Sequence, residues 1–312
     1  MRKAVDSHAA AFMVALCLAW GMQQVAIKAV AGDVSPLLQI VLRSGVAALL
    51  VWLVGRLVLR ERWLPGVGLR SGLAVGALFA AEFLFVAEGL RWTSASHMAV
   101  FLYTAPMFAA MGLHLRLPEE RLSGVQWAGI GLAFVGIAVT FLAPGRGSHM
   151  NMDTNWLLGD LMGLCAGAAW GLTTVVVRTS RLSEAPATQT LFYQLAGAAV
   201  LLAPVTLAFG QTHFHGTPMV WASLGFQALL VSFASYLIWF WLLRRYLAAP
   251  LGVLSFMTPL FGVALGVVLL GERLTPEFLL GAALVLAGVL VVNARSWLPL
   301  LRKVSPKETP AA

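Results

Sequence analysis

Arg43 and Glu82 stand near the middles of long apolar stretches of this 312-residue sequence, with Glu88 nearby. An ionisable group at the depth of a hydrocarbon layer costs several kcal/mol unless it is paired or faces water, so such residues are first candidates for function. A carboxyl group there can bind a proton or a cation, which makes Glu82 the candidate coupling residue. Arg43 could hold a substrate carboxylate or keep Glu82 ionised. The bland alternative is a buried Arg43–Glu82 salt bridge that only fixes helix packing. Glu88 lies six residues after Glu82, about 9 Å along a helix axis and pointing elsewhere. It stands three residues before Arg91, the spacing of an ordinary ion pair on a helix.

A second group of chemical residues occupies the middles of apolar segments rather than their ends: Trp20, Gln23, Gln24, Tyr103, Trp170, Thr173, Thr174, Tyr193, Tyr236 and Trp239. Membrane-protein Trp and Tyr gather at the interfaces, so rings at mid-depth face either a cavity or a neighbouring helix. Trp20, Gln23, Arg43, Glu82, Tyr103, Trp170, Thr173, Tyr236 and Trp239 form the candidate substrate-binding set. Pro106 and Pro259 interrupt apolar segments, each freeing a carbonyl one turn earlier. They are hinge candidates, with static kinks as the equal alternative. Gly163, Gly167 and Gly171 form a double GxxxG, and Gly72 with Gly76 another. Such faces suit close helix contacts, within one chain or between copies of a homo-oligomer.

Other chemistries find no support. His97, His114, His213 and His215 lack the carboxylates or thiols of a metal site, so no metal is expected. Cys17 and Cys165 are the only cysteines, and both read as small packing residues. No phosphate-binding P-loop, HExxH or GxSxG motif occurs, which argues against ATP-driven action and the common membrane hydrolases. No cofactor is expected.

The elements that must position these residues follow from composition. Sixty per cent of the chain is hydrophobic and 11% charged, against roughly a quarter charged in soluble domains. Such a surface must face lipid. Ten apolar segments span about 9–30, 34–56, 70–91, 95–117, 123–143, 157–179, 186–209, 219–243, 249–271 and 276–294, each close to the roughly 20 residues of a membrane helix. Helix-start chemistry precedes several: Ser35-Pro36, Thr275-Pro276, and the capping box of Ser123 with Gln126. The first segment lacks a small-x-small cleavage site and reads as a retained span. With the N-terminus in the cytoplasm, sixteen of the 21 Lys and Arg residues fall inside and four outside (Lys28, Arg91, Arg146 and Arg273), with Arg43 inside a span. This bias predicts cytoplasmic termini. It also accounts for the net charge of +8 without a nucleic-acid partner.

The sequence repeats. Ala19-Trp20-Gly21 returns as Ala169-Trp170-Gly171, while Lys28, Pro36 and Gln39 return as Arg178, Pro186 and Gln189. Pro106 corresponds to Pro259, Glu120-Arg121-Leu122-Ser123 to Glu272-Arg273-Leu274-Thr275, and Gly129 and Gly136 to Gly281 and Gly288. Five spans per repeat is odd, so the second half enters from the opposite side. The expected fold is therefore an all-α integral membrane protein of ten transmembrane helices in two inverted five-helix repeats, an architecture of alternating-access carriers. The first repeat covers 9–143, an outer linker 144–156, the second repeat 157–294 and a cytoplasmic tail 295–312. The linker contains Gly147-Ser148-His149-Met150, a string also left by tag cleavage and read here as native.

The Trp-Gly near each half's first helix, the proline in each fourth helix and the Gly-Glu-Arg-Leu-Thr of 271–275 resemble the drug/metabolite transporter superfamily, and within it the ten-helix branch with two EamA domains. The resemblance covers roughly residues 10–142 and 157–294. It implies a bacterial inner-membrane carrier, mostly an exporter of amino acids, other metabolites or toxic compounds, often with proton exchange. It also implies a central cavity lined by helices 1, 3, 4, 6, 8 and 9. Two features depart from the pattern: Glu119-Glu120 replaces the first half's Gly-Glu, and the first helix lacks the glutamate of the four-helix drug exporters. The expected function is a secondary exporter of amino acids or related small metabolites, not an enzyme, with a small-molecule substrate, membrane lipid and the proton as partners. The rivals are a broad proton-coupled multidrug exporter and, from another class, a membrane enzyme or sensor whose helices form a static scaffold.

Overall fold

The computed structural model describes residues 5–142, 156–246 and 248–304, and within them the regular structure is helical with no β-strand. The helices are α1 (Ser7–Ala29), α2 (Pro36–Leu53), α3 (Leu73–Gly89), α4 (Ala95–Leu102), α5 (Ala105–Arg116), α6 (Gly124–Leu142), α7 (Trp156–Thr179), α8 (Ala187–Ala208), α9 (Pro218–Gly225), α10 (Tyr236–Arg245), α11 (Ala248–Ser255), α12 (Met257–Leu270) and α13 (Pro276–Val304). They make ten spans because three pairs or triples run on. Helices α4 and α5 form the fourth, α9 and α10 joined by the wide turns of 226–235 form the eighth, and α11 and α12 form the ninth. Seven spans are long and apolar enough to cross a membrane whole, and three shorter apolar helices complete the set. The predicted linker and the Gly147–Met150 string lie outside the described residues. The tail expected from 295 starts as a continuation of α13, which stays helical to Val304.

The starts are those the caps predict. Ser35 Oγ accepts from Leu38 N, Thr275 Oγ1 accepts from Phe278 N at 3.2 Å, and Ser123 with Gln126 closes a reciprocal capping box at 3.0 and 3.4 Å. The fourth and ninth spans break at the same place. Helix α5 begins one residue before Pro106, and α12 two residues before Pro259. A proline cannot donate to the preceding turn and fits a first turn well, and both spans restart so that Pro106 and Pro259 fall in one.

Packing follows the repeat. Helix α1 lies on α12, α7 lies on α5, and α6 lies on α13. A Cβ at Gly21 would fall 2.8 Å from Gly262 N and 2.9 Å from Thr258 O, and one at Gly171 would fall 2.9 Å from Ala109 N and 2.7 Å from Ala105 O. Residues 258 and 262 correspond to 105 and 109 through the Pro106–Pro259 register, so one glycine contact is built twice. Gly129 meets Gly288, and Gly136 meets Gly281, with Cβ-to-carbonyl approaches of 2.9 and 2.7 Å. These two contacts exchange when Gly129 is set on Gly281 and Gly136 on Gly288, the signature of a two-fold relation. The GxxxG faces pack within the chain: Gly163, Gly167 and Gly171 receive α4 and α5, while Gly72 and Gly76 receive Tyr193 of α8.

Candidate functional site

A cavity of about 470 Å³ opens inside the bundle. Its walls come from α1, α3, α4, α7, α10 and both sides of the α11–α12 break, joined by α8 through Ala187, Thr190 and Gln194. The six expected spans therefore have a seventh neighbour. The cavity extends from mid-bundle to the end where Arg178, Ser183 and Ala187 lie. That end is wet: the Arg178 side chain is 56% exposed and bridges to Glu120.

Two aromatic corners shape the deep part. On one side Trp20 packs against Tyr236 and Trp239, with ring centroids 6.5 and 5.8 Å apart. Its indole donates to Ser235 Oγ at 2.8 Å, which fixes the ring. On the other side Tyr103 and Trp170 meet edge to face at 5.5 Å. Tyr103 stands in the break between α4 and α5, so the proline that restarts the helix also sets this ring's position. Gln23 and Thr173 line the space between, and Thr173 Oγ1 returns its own proton to Ala169 O at 2.9 Å.

Glu82 supplies the carboxylate of the deep wall. It is 5% exposed, lines the cavity, and its Oε2 has no hydrogen-bond partner. Arg43 is the correction to the sequence reading. It is 2% exposed and does not line the cavity, and among the described residues no ion pair joins it to Glu82. Its guanidinium instead stacks on Phe83, 4.2 Å from the ring centroid, and it is Phe83 that faces the cavity. Nε and Nη1 of Arg43 are also unpartnered. A desolvated cation on an aromatic face gains about 2 kcal/mol, well short of the several kcal/mol that burying an ion costs. The arrangement is thus poised, not saturated.

The opposite end of the bundle is sealed by polar contacts that sequence reading missed. Glu272 accepts from Ala95 N at 2.6 Å, Ser96 N at 3.0 Å and Ser96 Oγ at 2.5 Å, gripping the start of α4. Lys28 donates to Thr93 O. Asp160, wholly buried on α7, accepts from Thr93 Oγ1 and meets His97 Nδ1 at 2.8 Å, while the His97 ring stacks on Phe278 at 4.1 Å. Asp160 sits four residues into an apolar segment, the criterion that singled out Glu82. Its partner lies 63 residues away, so no local pattern announced the pair. Glu88 behaves as its spacing predicts, pairing with Arg91 at 2.7 Å and receiving Gln211 Nε2 at 2.5 Å. Tyr193 is a packing ring, set against Gly72 and bonded to Gln189 Nε2 at 3.0 Å. Among the described residues no cluster of His, Cys, Asp and Glu could hold a metal ion.

Comparison with known proteins agrees with this architecture. The sequence pattern of the EamA-like transporter family matches residues 8–142 and again 157–294. The uncharacterized transporter YoaV of Bacillus subtilis is 24% identical, over 89% of this chain and 94% of its own length. A probable amino-acid metabolite efflux pump of Salmonella typhimurium is 29% identical, over 87% of this chain and 90% of its own. A solved crystal structure with 22% identity superposes with a TM-score of 0.62, covering 97% of this chain and all of the other, which shows a shared fold.

Proposed function

The chain belongs to the EamA-like transporter family, and on that premise we propose that it is a secondary active exporter of amino acids or related small metabolites, working by alternating access. That it is a multi-pass membrane transporter of a small molecule, and not an enzyme, follows from the family. The observation that supports the finer reading is a cavity lined by Trp20, Gln23, Glu82, Tyr103, Trp170, Thr173, Tyr236 and Trp239 that reaches one end of the bundle while the other end is closed. A carrier caught in one half of its cycle has this form.

In this proposal the apolar body of the substrate lies between the Trp20 and Trp170 corners, and Gln23 and Thr173 offer it hydrogen bonds. Glu82 is the coupling residue, taking up and releasing a proton as substrate leaves and enters. Arg43 acts through Glu82 and Phe83 and does not touch the substrate. The breaks before Pro106 and Pro259 are the hinges. Residues 9–143 and 157–294 move as two repeats joined by the 144–156 linker, in a bacterial inner membrane with both termini and the 295–312 tail in the cytoplasm. By that orientation the cavity opens inward, ready to load a cytosolic metabolite.

The test is to express the wild-type chain and Glu82→Gln at matched levels and compare the metabolites in the medium. Wild-type cells are expected to enrich one compound class and Glu82→Gln cells not to. Equal enrichment by both removes Glu82 from coupling. No enrichment by the wild type defeats the exporter reading.

A further inference from the structure

The two ends of the bundle carry corresponding residues in different engagements. Glu272 and Glu120 are mates in the repeat, as are Lys28 and Arg178. The register that sets Pro106 on Pro259 also sets Ala95-Ser96, at the start of α4, on Ala248-Ala249, at the start of α11, with Leu90-Arg91 on Leu243-Arg244 just before. At the sealed end the glutamate holds the helix start: Glu272 takes both amides and the Ser96 hydroxyl, and Lys28 turns to Thr93 O. At the open end its mate Glu120 is engaged by Arg178.

A carboxylate on a helix N-terminus makes charge-assisted hydrogen bonds and sits at the positive end of the helix dipole. The structure makes room for it. Gly271 caps α12 in the left-handed conformation at φ 66°, and a Cβ on Gly266 would fall 2.5 Å from Glu272 Oε2. Each glutamate would span the halves, since Glu272 follows α12 and grips α4, while Glu120 follows α5 and its counterpart target is α11.

Resting on the alternating-access reading, we propose that Glu272 and Glu120 are positioning residues that latch the two ends in turn. In the present state Glu272 holds α4 and Glu120 is parked on Arg178. In the opposite state Glu120 moves onto the Ala248 and Ala249 amides, and Glu272 is parked on Lys28. Each carboxylate trades a helix start for a basic side chain, so neither is left without a partner at any stage. The two latches are unequal. Ser96 adds a hydroxyl bond that Ala249 cannot offer, which favours the state seen here, with the Glu272 end closed.

The experiment reads access from each side, independently of any substrate. Thr174→Cys, on the cavity wall, is placed in a Cys17→Ala, Cys165→Ala chain and reconstituted in sealed vesicles of known orientation. A membrane-impermeant thiol reagent then labels from one face at a time. Glu272→Gln is expected to raise the labelling rate from the sealed face about tenfold, the effect of about 1.4 kcal/mol on the equilibrium. Ser96→Ala raises it by less, and Glu120→Gln lowers it. A residue that merely holds the fold together would not move the two faces in opposite directions. If the two glutamate variants leave labelling unchanged, or shift it the same way, while the parent is labelled from both faces, the latch is wrong and alternating access stands. If the parent is never labelled from the sealed face, alternating access itself is wrong and the latch falls with it.

Discussion

Substituting Gly21 and Gly171 by alanine tests the duplicated contact that brings the broken spans against the cavity. At Gly21 the new methyl would meet Gly262 N at 2.8 Å and Thr258 O at 2.9 Å; at Gly171 it would meet Ala105 O at 2.7 Å and Ala109 N at 2.9 Å. These are backbone atoms of helices, which cannot rotate away as side chains do. A carbon–backbone contact relaxes to about 3.5 Å, so each helix pair must part by several tenths of an ångström over a full turn. Overpacking of this kind costs about 1–3 kcal/mol. The alanine's better helix propensity returns at most about 1 kcal/mol. Gly131 supplies the control, because a Cβ there meets nothing within 4 Å. Gly131→Ala is expected to be neutral or slightly stabilising. The two contact glycines share no neighbour, so their effects should add in the double variant. Thermal unfolding of detergent-solubilised protein, followed by tryptophan fluorescence, measures all four. Gly21→Ala and Gly171→Ala proteins as stable as Gly131→Ala, or destabilisation of only one of them, would refute the duplicated contact.

Asp160→Ala removes the acceptor of both Thr93 Oγ1 and His97 Nδ1. Two buried polar groups left unsatisfied cost about 1–3 kcal/mol each, so this variant should unfold at lower temperature than Trp20→Phe. Trp20→Phe gives up a single neutral bond to Ser235, about 1 kcal/mol. Gly266→Ala puts a methyl where the Glu272 carboxylate and Ser96 hydroxyl now sit, and should raise thiol labelling from the sealed face without any change of charge. At the start of α1 the Ala9 amide, 2.8 Å from the Asp6 carboxylate, holds that group below its ordinary range, and the Tyr246 hydroxyl at 3.0 Å adds to the effect. A depressed folded-state value means that the cap contributes at pH above the ordinary aspartate value of about 3.9, and that the contribution is lost as pH falls through the folded-state value. Asp6→Asn should flatten the acid limb of the stability profile, and an unchanged limb would contradict the capping role.

Much of the positioning was written locally. The apolar runs, the Ser35, Ser123 and Thr275 starts, and the prolines beside the restarts at 105 and 257 are one-dimensional features, and the helices begin where they indicate. The repeat was equally legible, because two halves related by symmetry must spend the same residue types on the same contacts. Mid-span aromatics marked the cavity for a physical reason: a ring away from the interface needs a wall to face, and Trp20, Tyr103, Trp170, Tyr236 and Trp239 face this one. Tyr193 met the same criterion and packs on Gly72 instead, since mid-depth residues face either solvent space or a neighbour, and only the helix's rotation chooses.

What the sequence determined alone is which residues are costly in a membrane, and where helices must start, stop and come close. It named Arg43 and Glu82 because their charges are out of place. It could not say that Arg43 turns to the Phe83 face instead of to Glu82, nor that Asp160 finds His97 across 63 residues. Nor could it say that Glu272 grips the start of α4 at one end while Glu120, in a similar local sequence, is held by Arg178 at the other. Those outcomes depend on distances between helices far apart in the chain. Similar local motifs in the two halves come to differ only when the tertiary structure gives each its own neighbours.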